Sequence, residues 1–266
     1  MFDVIVVGGR CAGAATALLL ARKGFKALVV DKARFPSEIP PGHFIHRQGP
    51  RLLQRWGVLD IVRSGCPPVT RFTTDLGDFP LTGINLVRDG VAFGYAPRRG
   101  KLDAILIEAA IKSGAEFRDG FSVDDYTFYD ATVMGIRGHS YKGGPTVGER
   151  AQITIGADGR RSSLARAVGA PRYEEIPPLA CRYFSYWSGA GLDGLEIYLR
   201  EARRLFMRFR GDTADPDFRG LSVRWLLKLH VSAFLECMPE FAALPYDRYH
   251  TAWQKLHGLC HCCSFL

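Results

Sequence analysis

Residues 3–36, DVIVVGGRCAGAATALLLARKGFKALVVDKARFP, decide how the chain is read. Val4-Ile5-Val6-Val7 is a short continuous apolar run, the pattern of a strand buried on both faces of a parallel sheet. Gly8-Gly9 breaks the run. Ala12 through Lys23 then reads as a small-residue-rich helix that Gly24 ends, and Ala27-Leu28-Val29-Val30 is a second buried strand closing at Asp31. Strand, helix and strand fill the ~30 residues of a βαβ unit.

Each position in this unit has a physical task. Gly8 allows the tight strand-to-helix turn, and Gly13 lets the helix pack close to the sheet. The helix N-terminus, around Cys11 to Ala14, points unpaired N–H groups at any anion placed there. Asp31, followed by Lys32, lies about 20 residues beyond the loop, where a carboxylate accepts ribose hydroxyls. These residues predict a dinucleotide site. Arg10 occupies the position of the middle glycine, which normally lets backbone approach a pyrophosphate. Its side chain either points away from the phosphates or lies along them as a charged clamp.

The 266 residues exceed the roughly 100–200 of one domain, so one large or two intimately joined domains are expected. A chain 47% hydrophobic and 23% charged reads as a soluble globular protein rather than a disordered one. The net charge of +8 is scattered, with no basic run or basic helix, so it does not point to nucleic acid. No segment reaches the ~18 apolar residues of a membrane span. The opening Met-Phe-Asp lacks the charged n-region of a secretory signal. Seven cysteines without framework spacing read as reduced thiols in a cytoplasmic protein.

Four segments together resemble the FAD-dependent oxidoreductases of the aromatic-hydroxylase superfamily, which also holds geranylgeranyl reductases and flavin-dependent halogenases. The first is the loop GGRCAG, residues 8–13, similar to a variant with Arg in GxRxAG. The second, GHFIHRQGPRLLQRWGVLD (42–60), resembles a flavin-covering loop followed by a helix, here with Leu52, Leu53, Trp56 and Leu59 on helical spacing. The resemblance makes His46 a flavin-adjacent residue; a structural or exposed histidine is the alternative. The third, APRRGKLDAILIEAAIKSGAEFRDGF (96–121), resembles an element whose arginine reaches the FAD phosphate and ribityl region, which here is Arg99. A surface Arg98-Arg99 pair is the other reading. The fourth, AQITIGADGRRSSLARAVGAPRYE (151–174), resembles the GADGxxS motif that lies against the pyrophosphate, through Asp158 and Gly159. The hydroxylase pattern places Arg three residues after the Ser. This chain has Ala165 and then Arg166, a spacing commoner in reductase-like and halogenase-like relatives.

The resemblance implies an α/β fold: a Rossmann-like FAD-binding domain, with a parallel sheet, helices and a small antiparallel crossover sheet, plus a β-rich substrate domain. The alternation in residues 122–138 and 148–159 suits the crossover sheet. The expected boundaries are 1–171 for the FAD-binding domain, 172–258 for a partial substrate domain and 259–266 for an atypical tail. Tyr183, Phe184, Tyr186 and Trp187 either line an apolar substrate pocket or belong to the substrate-sheet core. The family carries a further flavin motif, a strand ending in GDA. Gly211-Asp212 imitates it but follows too charged a run, RFR, and the chain is read as C-terminally truncated. Cys260, His261, Cys262 and Cys263 are too crowded for a tetrahedral zinc, so no metal is expected.

The function this implies is an FAD-binding monooxygenase or reductase with NAD(P)H as electron source, acting on an apolar or aromatic small molecule. No side chain is assigned a catalytic role. The alternative is a non-catalytic flavin-binding relative.

Overall fold

An apolar run without alternation needs strand neighbours on both edges and cover on both faces, and residues 4–7 have all four. In the computed structural model the chain runs β1 (Phe2–Val7), α1 (Cys11–Arg22), β2 (Ala27–Val30), β3 (Ile45–His46), α2 (Gln48–Arg55), α3 (Leu59–Arg63), β4 (Arg71–Asp75), β5 (Pro80–Ile84) and β6 (Gly94–Tyr95). It continues with α4 (Arg99–Lys112), β7 (Glu116–Arg118), β8 (Phe121–Tyr129), β9 (Thr132–Ser140), β10 (Val147–Gly156), α5 (Ser163–Ala167), β11 (Gly194–Arg200) and β12 (Arg204–Phe209). The structure describes residues 1–37, 44–46, 48–63, 65–75, 79–84, 91, 94–140, 144–175, 194–200 and 204–209. Tyr183, Phe184, Tyr186, Trp187, the Gly211-Asp212 pair and the tail from residue 259 lie outside them.

The principal sheet has six strands in the order β7-β2-β1-β10-β9-β8. β1 pairs in parallel with β2 on one edge and with β10 on the other. Val4, Val6, Ala27 and Val29 face the helical side, where they meet Ala17, Leu18 and Ala21 of α1 and Ala110 of α4. The alanines explain the small-residue composition of α1: they let α4 and the sheet come close. Ile5, Val7, Leu28 and Val30 point to the other face, which Phe121, Tyr126 and Ile136 cover. Each fully buried aliphatic side chain contributes about 1.5–3 kcal/mol relative to exposure.

The crossover strands are antiparallel, as expected, but they do not form a separate sheet. β10 is ten residues long. Its first half pairs antiparallel with β9 and its second half parallel with β1, so one strand belongs to both pairings. Such a strand must be half exposed in one part and buried in the other, which blurs any single periodicity.

One other expectation changes. The single helix carrying Leu52, Leu53, Trp56 and Leu59 is two short helices, α2 and α3, with the chain turning at Trp56-Gly57. Leu53 and Leu59 are buried, whereas Leu52 is 37% exposed and faces solvent. The second sheet, β12-β11-β4-β5, joins strands from within residues 1–171 to strands beyond them. There β4 and β11 pair in parallel, Arg71 opposite Gly194 and Asp75 opposite Tyr198.

Helix α4 buries Leu102, Leu106 and Ala110. Ile105 and Ile107 are also buried, in one cluster with Ala14 of α1 and with Leu59 and Val62 of α3. Helix α1 lies so near β1 that a Cβ on Gly13 would fall 1.7 Å from the Gly8 carbonyl oxygen. Gly13→Ala is expected to cost about 1–3 kcal/mol or more, measured as a lower urea midpoint with unchanged slope.

Candidate functional site

The parallel strands end level. Val7 is opposite Val30 of β2 and Gly156 of β10, so the turns that follow all three strands meet at one end of the sheet. Gly8 N–H donates to the Val30 carbonyl at 2.8 Å, and Ala157 N–H donates to the Val7 carbonyl at 2.7 Å. Gly8 has φ +105°, and a Cβ there would lie 2.4 Å from the Ala157 carbonyl oxygen. Glycine is required on both counts. The first and fourth sequence segments, about 150 residues apart, are therefore one site.

Asp31 organises the loop. Its Oδ2 accepts the Gly9 N–H at 2.7 Å and its Oδ1 accepts the Ala33 N–H at 2.8 Å. Lys32 beside it is exposed. Helix α1 begins at Cys11 with no side-chain cap and no acidic residue in its first turn. Its leading N–H groups therefore suit an external anion. Dinucleotide chemistry fits this donor set: helix N–H groups for a diphosphate and a carboxylate with lone pairs left over for ribose hydroxyls.

Arg10 takes a protein partner. Its Nη1 is 3.0 Å from Asp103 Oδ2, its Nη2 donates to Ser37 Oγ at 3.0 Å, and its guanidinium lies 5.3 Å from the centre of the Phe35 ring. Arg99 is 5% exposed, which removes the reading of a surface Arg98-Arg99 pair. Its Nη2 donates to Asp103 Oδ1 at 3.2 Å, while its buried Nε has no hydrogen-bond partner among the described residues. Cys11 Sγ donates to Asp103 Oδ1 at 3.0 Å. Burial, and then the Asp103 charge, push the Cys11 thiol up to about 12, although a helix start ordinarily lowers a thiol's value.

The Asp158 turn is held from two directions. Asp158 Oδ2 accepts the Ser163 N–H at 2.7 Å and the Ser163 hydroxyl at 3.0 Å. The Ser163 hydroxyl also meets Tyr126 Oη of β8 at 2.5 Å, so the crossover strands brace this turn. Burial alone would raise the Asp158 carboxyl, but hydrogen bonds from Ser162 and Ser163 outweigh it and hold the group below 3.8. Asp158 Oδ1 is buried without a hydrogen-bond partner among the described residues. Gly159 follows with φ +81°. His46 sits on the short β3–β6 pair and stacks on Phe44 at 5.5 Å.

Asp103, Tyr126 and Ser163 were not singled out from the sequence. Asp103 had a signal: a carboxylate inside the apolar run from Leu102 to Ile107, four residues after Arg99. Tyr126 had none, because its contact with Ser163 spans 37 residues.

Residues 1–181 match the family described as FAD binding domain. The chain belongs to this FAD-binding family. It is 30% identical over 187 residues to Protein FixC of Salmonella typhi, covering 68% of this chain and 42% of that protein. It is 33% identical over 182 residues to the menaquinone reductase of Mycolicibacterium smegmatis, covering 65% of this chain and 41% of the relative. Among solved structures it is similar to aklavinone-11 hydroxylase in complex with FAD and aklavinone, at 28% identity and a TM-score of 0.52 over 63% of this chain and 35% of that one. The chain thus spans about two-fifths of the length of the curated relatives it matches. The family is one of FAD-dependent oxidoreductases, and the α/β architecture with its Rossmann-like sheet is that of its structural neighbours.

Two outcomes follow from this geometry. Cys11 is expected to resist iodoacetamide at pH 8 in the folded protein, and Asp103→Asn is expected to speed its alkylation several-fold, read by peptide mass spectrometry. Because the Asp158 value is depressed on folding, its contribution to stability is present above about 3.8, its ordinary value, and is lost as pH falls through the lower folded value. The stability difference between wild type and Asp158→Asn should therefore shrink below about pH 4, as measured by denaturant unfolding across pH.

Proposed function

We propose that the chain binds FAD at the meeting of the three turns and serves an oxidoreductase, a monooxygenase or reductase that draws electrons from NAD(P)H. The observation that carries this reading is the convergence of the Gly8 turn, Asp31 and the Asp158 turn at one end of the parallel sheet, beside an uncapped helix start. Bound FAD supplies the acceptance and onward delivery of electrons.

The chain's own residues bind and orient. Gly8, Gly9, Cys11, Ala12 and Gly13 present backbone to the diphosphate. Asp31 accepts ribose hydroxyls while keeping its two backbone hydrogen bonds. Lys32, exposed beside it, adds positive charge at the nucleotide end. Arg99 contributes a buried guanidinium with one nitrogen still to be satisfied. Asp158 and Gly159 would close the site from the β10 side, and His46, stacked on Phe44, is the residue proposed to adjoin the flavin ring.

The substrate proposed is an apolar or aromatic small molecule. Its support is in the relatives: one is a menaquinone reductase and another holds aklavinone. No helix among the described residues is long and apolar enough to cross a membrane. Cys11 and Cys66 are in no disulfide among the described residues, which supports the proposal of a reducing, cytoplasmic setting.

The test is the visible absorption spectrum of the purified chain with and without added FAD, followed by NADPH and NADH oxidation. Flavin bands that stay with the protein through gel filtration, and nicotinamide consumption that depends on it, are the expected results. Uptake without oxidation would leave a flavin-binding protein that does not turn over. No uptake at all would defeat the reading.

A further inference from the structure

Asp103 and Arg99 are the buried charged residues among those described, and Asp103 is fully buried. A carboxylate in that position is costly unless it is paired and hydrogen-bonded. Its neighbours Leu102, Ile105, Leu106 and Ile107 are apolar and buried, so helix packing alone would be served by another aliphatic side chain. What the carboxylate does instead is gather donors. Arg10 Nη1 at 3.0 Å, Arg99 Nη2 at 3.2 Å and Cys11 Sγ at 3.0 Å all converge on it.

Two of those donors belong to the helix start that faces the diphosphate. Arg10 stands where a glycine would leave the cradle open. Left unpaired, its guanidinium would turn to the nearest anion and its side chain would enter the space the phosphates need. Asp103, with Ser37 Oγ at 3.0 Å and the Phe35 ring at 5.3 Å, gives it another place to lie. We propose that Asp103 is a positioning residue for FAD: it holds the Arg10 side chain aside, so that the loop works without its middle glycine. The same carboxylate anchors Arg99 through Nη2 and leaves the buried Nε for a ligand acceptor. This inference rests on the FAD-binding reading above.

The experiment titrates FAD into the full chain and follows quenching of flavin fluorescence, with far-UV circular dichroism to confirm folding. Four proteins are compared: wild type, Arg10→Gly, Asp103→Asn and the double variant. Arg10→Gly is expected to bind FAD within threefold of wild type, because glycine restores the open cradle. Asp103→Asn is expected to bind tenfold or more weakly. The double variant is expected to return to within threefold of Arg10→Gly, since no unpaired guanidinium remains at position 10.

A double variant no better than Asp103→Asn would make Asp103 merely structural and overturn the proposal. So would an Arg10→Gly variant weakened by more than threefold, which would mean that Arg10 grips the phosphates itself. If neither Asp103 variant folds, Arg10→Gly decides by that same threefold limit. Wild-type protein that takes up no FAD would overturn the functional reading, and this proposal with it. Wild-type uptake without rescue overturns the proposal alone.

Discussion

β1 is paired in parallel on both edges, and the pairings end at the same residue. Val7 has Val30 on one side and Gly156 on the other. Parallel strands leave a sheet in the same direction, so three chain segments must turn within a few ångströms of one another. They can do so only because Gly8 has no side chain where the Ala157 carbonyl passes. The helix start, the Asp31 brace and the Asp158 turn all take their positions from that register. A shift of one residue in either ladder would turn the alternate apolar residues of β1 to the wrong face and separate the turns.

Polar groups around the site are satisfied in layers. Asp31 holds the loop through two backbone N–H groups. Asp158 is held through Ser163, and Ser163 through Tyr126 of the crossover strands. Asp103 gathers two arginines and a thiol from two helix starts. Asp31 and Asp103 each tie one segment to another, whereas Asp158 ties its turn to the helix start that follows it. Two of the buried atoms without hydrogen-bond partners among the described residues, Arg99 Nε and Asp158 Oδ1, belong to these same groups. A site that closes its own loops while leaving one atom of each flanking group free is suited to a polar ligand.

Much of this was legible before any coordinates. Local patterns carried the βαβ unit, because buried parallel strands are continuously apolar and the turn between strand and helix demands glycine. The antiparallel strands over residues 121–156 were legible from alternation, but their fusion to the parallel sheet was not, since β10 serves two different neighbours along its length. The helix through Trp56 was misjudged because helical spacing persists across a turn when both flanking helices bury their leucines in the same core. The second sheet escaped a linear reading because β4 and β11 pair across more than 100 residues of chain.

By itself the sequence determined the type of the first three elements, the glycine turn between strand and helix and the carboxylate that follows them. Those features depend on neighbours within ~30 residues, where backbone preference and periodicity act directly. Only the tertiary structure decided what Arg10 does. Its side chain could turn either way, and the group that settles the matter, Asp103, is 93 residues distant and reaches it only because α4 packs along α1. A local pattern reveals that a charge is present; which charge balances it depends on the packing of whole helices.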